Sequence, residues 1–338
     1  MTSTAGAVLD DARSRVEPAL RAAVARLDPA NRLVAEYHLG FADAAGHPVA
    51  EPGGKGVRGA LALLSAQAAG AAAEVGVPAA VACELVHNFS LLHDDIMDAD
   101  TTRRHRATAW TVFGTSAAIL AGDAMLGLAT EVLAEASGPT VPWAVRCLSA
   151  ATRRLIAGQA ADLRFESEQT VDLAQCQQMA AGKTGALLAC STSLGAVLAD
   201  APASLTMSLA DFGYHIGMAF QLVDDLLGIW GSPERTGKPV ASDLASRKKS
   251  LPVVAALAAG GPDADRLAEL YARGGSLSER ELSSAAEAVE AAGGRAWATA
   301  EADRETAAAL AILADLPMAE DVRAGLQAVT KMLCGRDH

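Results

Sequence analysis

Lysine is nearly missing from this 338-residue chain. Of its 28 basic residues only six are lysines, at 55, 183, 238, 248, 249 and 331. A solvated surface would scatter them, but five of the six fall in glycine- or aspartate-flanked segments, which points to cationic ligands. Aromatic residues are also scarce, at 4% against 51% hydrophobic. Much of the apolar content is alanine and leucine, which favour helix. Positive charge is in deficit, with a net charge of −12 and a pI of about 5.0, which argues against a nucleic-acid partner. The five cysteines, 83, 147, 176, 190 and 334, are odd in number and lack metal-ligand spacing. They read as reduced core thiols of a cytoplasmic protein. Met1 to Asp11 has no basic region, so no secretory signal is expected. The uncharged stretch from Thr184 to Ala199 falls short of the ~20 apolar residues that span a bilayer, so no transmembrane segment is expected either.

Breakers are few: Glu51-Pro52-Gly53-Gly54, Gly76-Val77-Pro78, Gly138-Pro139, the stretch from Ser232 to Pro239, and Gly260-Gly261-Pro262. Length alone suggests two domains. No linker long enough to part them is visible, so the expectation is one all-helical domain over 1–338. Apolar residues recur at three and four, as in Val81, Leu85, Phe89 and Leu92, and in Phe212, Ile216, Phe220 and Val223. Beyond Pro262 the chain is amphipathic Ala/Glu-rich helix.

What is present, twice, is an apolar helical run that meets paired acids and then clustered bases. Asp94-Asp95-Ile96-Met97-Asp98 places acids at i and i+4, on one face, where they can grip the same ion. Arg103, Arg104 and Arg106 follow at once. Asp224-Asp225, with Gln221 a turn earlier, is followed by Lys238, Asp243, Arg247, Lys248 and Lys249. An isolated acid triplet is more often a solvated helix end. Acids followed by bases, twice, suit metal-and-phosphate clamps, because magnesium takes few carboxylates and shares phosphate oxygens. Gly53-Gly54-Lys55-Gly56-Val57-Arg58-Gly59 is a glycine-rich turn opening a helix, a place where phosphate can bind, although it is not a P-loop. Taken singly, this turn, Gly182-Lys183-Thr184-Gly185 and His87 are more often plain loop, helix start and core.

Together, in order from Gly53 to Pro252, these segments resemble the trans-isoprenyl diphosphate synthases. The run Glu84-Leu-Val-His87-Asn-Phe89-Ser90-Leu-Leu-His-Asp94-Asp95-Ile-Met-Asp98 is similar to that family's first aspartate-rich motif. Phe220-Gln221-Leu-Val-Asp224-Asp225 is similar to the start of the second. The resemblance implies a single large helical bundle around a central cavity (the isoprenoid synthase fold), usually a homodimer. It implies head-to-tail condensation of isopentenyl diphosphate with a dimethylallyl, geranyl or farnesyl diphosphate, with Mg2+ ions, three per active site. On it, Asp94, Asp98 and Asp224 would hold metal. Arg103, Lys183, Thr184, Gln221, Lys238 and Lys248 would bind the allylic diphosphate. Lys55, Arg58, His87 and Arg104 would bind isopentenyl diphosphate. Gln159 and Asp162 would line the cavity, and Asp225 would be a further site residue.

The chain departs from the pattern at three places. Gly228 stands where many members have the third acid of the second motif, Gly59 replaces a proline, and His105 replaces a glycine after the arginine pair. Phe89 and Ser90 would govern chain length. One aromatic, with no insertion between Asp95 and Asp98, resembles the twenty-carbon synthases and implies geranylgeranyl diphosphate. A farnesyl or longer-chain synthase, a class I terpene cyclase and a non-catalytic synthase subunit are the alternatives. The isopentenyl-site cations oppose the cyclase. Gly228 is the only support for the subunit.

Overall fold

The computed structural model describes residues 4–49, 54–232, 241–273 and 275–335. They are almost wholly helical. In order come α1 (Ala5–Val24), α2 (Pro29–Leu39), α3 (Val57–Ala68), α4 (Val77–Met97), α5 (Ala109–Phe113), α6 (Thr115–Ala134), α7 (Val141–Ser167), α8 (Leu173–Ala180), α9 (Ala186–Leu198), α10 (Ala203–Trp230), α11 (Ser242–Ala245), α12 (Leu251–Ala259), α13 (Pro262–Ala272), α14 (Glu279–Ala291), α15 (Gly294–Asp315) and α16 (Glu320–Cys334). One two-stranded hairpin, β1 (Thr102–Arg103) and β2 (Arg106–Ala107), interrupts them. The expected all-α class is what the described residues show.

Local chemistry sets several helix ends. Asp28 caps α2 by accepting from the Ala30 and Asn31 amides, with Pro29 in its first turn. Asp172 with Gln175, and Ser278 with Glu281, form reciprocal capping boxes at α8 and α14.

The chain groups into two compact units. Unit 1 holds residues 1–152, 187–213 and 313–329; unit 2 holds 153–186, 214–312 and 330–338. In unit 1, α3 is buried nearly all round and α4 packs on α3 and α6. The α4 stripe Val81, Leu85, Phe89 and Leu92 is in the core, as its spacing predicts. In unit 2, Phe165, Cys176, Met179, Met218, Leu222 and Leu251 form one apolar cluster. A second holds Ile229, Leu244, Val253, Leu267, Leu270 and Val289. In the α10 stripe Phe212, Ile216 and Val223 are buried, and Phe220 only half so.

Ala73–Met97 and Thr115–Ala134 are long and apolar enough, by length and composition, to cross a membrane. The first is 67% buried inside the protein and ends in the acidic motif, as a core helix would be. The second is only 39% buried, which leaves an apolar face on α6.

Candidate active site

In unit 1 the first acidic motif closes α4. Asp94 is half-buried, Asp95 is buried, and Asp98 is exposed at the helix C-cap. Asp98 keeps helical dihedrals and its amide still donates to the Asp94 carbonyl at 2.8 Å, so the i, i+4 relation survives the helix end. Asp95 turns inward. Its Oδ1 accepts from Arg103 Nε at 2.6 Å. Burial pushes the Asp95 carboxyl above the usual range, and the Arg103 guanidinium opposes that rise.

Arg103 comes from the hairpin, whose two-residue turn is Arg104-His105, with φ of 51° and 62°. Positive φ at both central positions is the primed-turn geometry that matches strand twist. It also explains why a glycine suits position 105 and why His105 carries backbone strain. The loop is tied down on both sides. Thr108 Oγ1 and Trp110 Nε1 both donate to the Asp100 carbonyl at 2.8 Å. Arg106 donates to the Tyr37 carbonyl and lies over the Tyr37 ring.

About two turns back along α4 a cationic cluster gathers. His87 is held far below its ordinary pKa by burial, then by Arg58, Arg104 and Arg103. It is therefore a neutral hydrogen-bonding group at pH 7. Burial also lowers Arg58, against the pull of Glu84. The Glu84 carboxylate accepts from the Gly59 amide at 2.9 Å and pins the start of α3. His38 of α2 joins the cluster, pushed down to about 3 by burial and by Arg104 and Arg103. Sequence reasoning missed it, because nothing in the pattern of α2 marks it. Four buried polar atoms here lack a hydrogen-bond partner: His38 Nε2, Arg58 Nε, Asn88 Oδ1 and Asp95 Oδ2. Such groups cost free energy unless water or a ligand meets them. A cavity of about 30 Å³, about the volume of one water molecule, is lined by His38, Asp95, Arg103, Arg104 and Arg106.

Lys55 is exposed just before α3. Helix α3 is entered through Gly56, at φ 66°, which gives no side-chain cap, and of its first amides that of Gly59 is met by Glu84. A Cβ at Gly54 would lie 2.6 Å from Arg104 Nη2, so that guanidinium sits directly against the glycine turn. Phe89 is buried edge-on to His93, with ring centroids 5.2 Å apart. His93 in turn rests on Gly122 of α6. Ser90 Oγ donates to the His87 carbonyl at 2.8 Å.

In unit 2, Asp224 is exposed on α10 and Asp225 is buried. A relay of hydrogen bonds fixes the buried acid. Thr184 Oγ1 donates to Gln221 Oε1 at 2.5 Å, and Gln221 Nε2 donates to Asp225 Oδ1 at 2.8 Å. The Leu251 amide donates to Asp225 Oδ2 at 2.9 Å. Thr184 and Gln221, expected at the allylic diphosphate, are thus engaged with one another as placed. Lys183 pairs with Asp162 at 2.6 Å. Lys183 and Thr184 stand on a single π turn, Ala181–Gly185, between α8 and α9. That turn comes so close to α7 that a Cβ at Gly158 would meet the Lys183 amide nitrogen at 2.2 Å. Gln159, next to it, is buried with both amide atoms unpartnered, as a group awaiting a ligand would be. Burial pulls the Lys248 ammonium down, but Asp225, Asp243, Asp162 and Asp224 outweigh it and hold the group above its ordinary value. Lys238 lies outside the described residues.

Among the described residues no three His, Cys, Asp or Glu side chains converge as a protein-only metal cage. Carboxylates alone, few and partly exposed, suit magnesium, which completes its shell with water and substrate phosphate. Asp94 and Asp98 in unit 1, and Asp224 in unit 2, are the carboxylates that the sequence marks for it.

A family profile described as polyprenyl synthetase matches residues 41–289. The chain is 50% identical to the (2E,6E)-farnesyl diphosphate synthase of Mycobacterium tuberculosis, over 99% of this chain and 94% of that one. It is 40% identical to the geranylgeranyl diphosphate synthase of the same organism, over 98% and 94%. Its fold is similar to the crystal structure of a polyprenyl synthetase from Streptomyces coelicolor A3(2), with a TM-score of 0.92 and 51% identity, covering 97% and 98% of the two chains. With the profile matching 41–289 and sequence and fold in agreement over nearly the whole length, the chain belongs to the polyprenyl synthetase family.

Proposed function

We propose that this prenyltransferase condenses isopentenyl diphosphate with an allylic diphosphate and releases inorganic diphosphate. The observation that carries the reading is on α4. Its C-terminal acids, Asp94 and Asp98, lie two to three turns from His87, about which a separate cluster with Arg58 and Arg104 is built. One helix thus serves two anions, one through metal and one through guanidinium groups. A cyclase, with a single diphosphate to bind, has no use for the second set.

Magnesium, three ions in this reading, supplies Lewis-acid stabilisation of the departing diphosphate. In this reading Arg103, preset by Asp95, offsets that charge, as Lys183, Lys238 and Lys248 would in the role the family resemblance gives them. The allylic C–O bond breaks, and the isopentenyl double bond attacks the resulting cation. Attack leaves a tertiary cation on the former isopentenyl unit, and the proton lost from its neighbouring carbon, which forms the new double bond, goes to the departing diphosphate. Neutral His87 and the buried polar atoms around it orient the second diphosphate. The apolar flank of α4 excludes water that would quench the cation.

The product we assign is geranylgeranyl diphosphate. Phe89 stands five residues, about 7.5 Å, before Asp94 and acts as the floor, while small Ser90 leaves room. A fifteen-carbon farnesyl product is the second reading, favoured by the relative at 50% identity. We further assign a cytoplasmic homodimer, its subunits joined through Ile119 and Leu120 of α6 with Val112 of α5, which are exposed apolar residues that a second copy would cover. Purified protein given isopentenyl diphosphate, each allylic diphosphate in turn and Mg2+ tests the reaction and the product, and sedimentation of the wild type against Leu120→Asp tests the dimer. Diphosphate release should need both substrates, and the wild type should stop at twenty carbons. Phe89→Ala should lengthen the product and Ser90→Phe shorten it. If neither variant shifts the profile while activity survives, Phe89 is not the ruler.

A further inference from the structure

Lys248 follows α11, a single helical turn, through a stop that no glycine eases. Arg247, at φ 52°, holds the left-handed position where glycine is the usual residue. Its amide donates to the Leu244 carbonyl at 3.0 Å, and the Lys248 amide donates to the Asp243 carbonyl at 2.8 Å, the paired bonds of a Schellman stop. The Arg247 side chain leaves for α13. Its Nε donates to the Leu270 carbonyl at 3.4 Å and its Nη2 to the Gly275 carbonyl at 2.6 Å. Leu270 lies in the last turn of α13, whose final carbonyls have no partner within the helix, so a guanidinium there is well placed. Tyr271 of the same turn returns a bond. Its ring packs on the cluster of Ile229, Leu244 and Leu267, and its Oη donates to the Lys248 carbonyl at 3.2 Å. Burial and then Asp243 hold that hydroxyl above its ordinary pKa, against Arg247, so it remains a donor.

The Schellman bonds already end α11. The two ties to α13 do something more, since they fix the backbone of Lys248 from its carbonyl and from the residue before it. The side chain that rises from this backbone has a flexible four-carbon stem and no set geometry of its own. Asp225, Asp243, Asp162 and Asp224 all attract its ammonium. On a loose backbone the group could settle against any of them, whereas a fixed one sets its reach. We infer that Arg247 and Tyr271 are positioning residues for the allylic diphosphate: they hold Lys248 where its ammonium can meet a phosphate oxygen. This rests on the allylic role proposed above for Lys248. Neither residue need touch the substrate, because each acts through Lys248.

Steady-state kinetics of the whole enzyme, with geranyl diphosphate and isopentenyl diphosphate varied in turn, provides the test. Lys248→Ala should raise KM for geranyl diphosphate about tenfold or more, as loss of a charge-assisted bond does. Tyr271→Phe removes one hydroxyl and keeps the ring in its cluster. It should raise the same KM about threefold to tenfold and leave KM for isopentenyl diphosphate within about twofold of the wild type. On a Lys248→Ala background Tyr271→Phe should change KM for geranyl diphosphate less than about twofold, because no ammonium is left to place. Arg247→Gly suits the left-handed turn, so the chain should fold, and it should show the same split between the two substrates. The inference is wrong if Tyr271→Phe leaves KM for geranyl diphosphate unchanged while Lys248→Ala raises it. It is equally wrong if Tyr271→Phe raises both KM values alike, or keeps its full effect without Lys248, as a merely structural tyrosine would. If Lys248→Ala itself leaves KM for geranyl diphosphate unchanged, the allylic role of Lys248 fails, and the inference with it. A wild type that joins no isopentenyl diphosphate to geranyl diphosphate would overturn the prenyltransferase reading as a whole.

Discussion

Replacing Arg103 by methionine should strand a charge. The Asp95 carboxyl is 1% exposed and its Oδ1 is held by Arg103 Nε at 2.6 Å, while its Oδ2 is already without a partner. Removing one member of a buried pair costs about 3–5 kcal/mol. The Arg103 side chain is 28% exposed, so water reaches part of the gap and the lower figure of about 2–3 kcal/mol is expected. The cost should depend on pH with a definite sign. Burial raises the Asp95 pKa in the folded chain, against Arg103. Between the ordinary carboxylate range and that raised value, the folded chain binds more proton than the unfolded one. This group's contribution to stability therefore falls as pH rises. Without Arg103 the pKa climbs further, so the deficit of Arg103→Met should be small in acid and grow toward neutral pH. Urea denaturation of wild type and variant across pH 4–7.5 measures it. On an Asp95→Asn background the same substitution should cost under about 1 kcal/mol, because no charge is left to strand. A deficit that is flat with pH and unchanged on that background would refute the argument.

Three further outcomes are expected. Asp94→Ala should cost about 10²–10³ in kcat, as loss of one strong electrostatic group does, and excess chelator should abolish turnover; full activity with chelator present sinks the metal assignment. Gly158→Ala must push the π turn that carries Lys183 and Thr184, because its Cβ would lie 2.2 Å from the Lys183 amide. It should cost about 1–3 kcal/mol in a melt and raise KM for the allylic substrate more than for isopentenyl diphosphate. His105→Gly should stabilise the fold by about 0.5–1 kcal/mol in the same assay, since φ 62° strains histidine and suits glycine.

Much of this protein was legible in its residues. Helix was written in the three-and-four spacing of α4 and α10, and in alanine and leucine content that leaves strands little to be made from. The two acid-then-base segments pointed to the chemistry, because paired carboxylates followed by clustered bases, twice, suit a metal-and-phosphate clamp better than a solvated helix end. The hairpin turn was not legible. Arg104-His105 carries no glycine, and only its tied-down flanks hold both residues at positive φ. Nor did spacing reveal that Asp95, beside Asp94, would turn inward to serve Arg103 instead of metal.

The sequence alone determined the helical class and the family's two motifs, because periodicity and short-range motif chemistry are local properties of a chain. Only the tertiary structure decided what each group is spent on. His38 reaches the Arg58–His87 cluster from a helix whose pattern never marks it. Thr184 and Gln221 meet across 37 positions, and Tyr271 reaches the Lys248 carbonyl. These are contacts between residues far apart in the chain. Packing sets them at distances of a few ångströms, where the desolvation and hydrogen bonding of polar groups are decided.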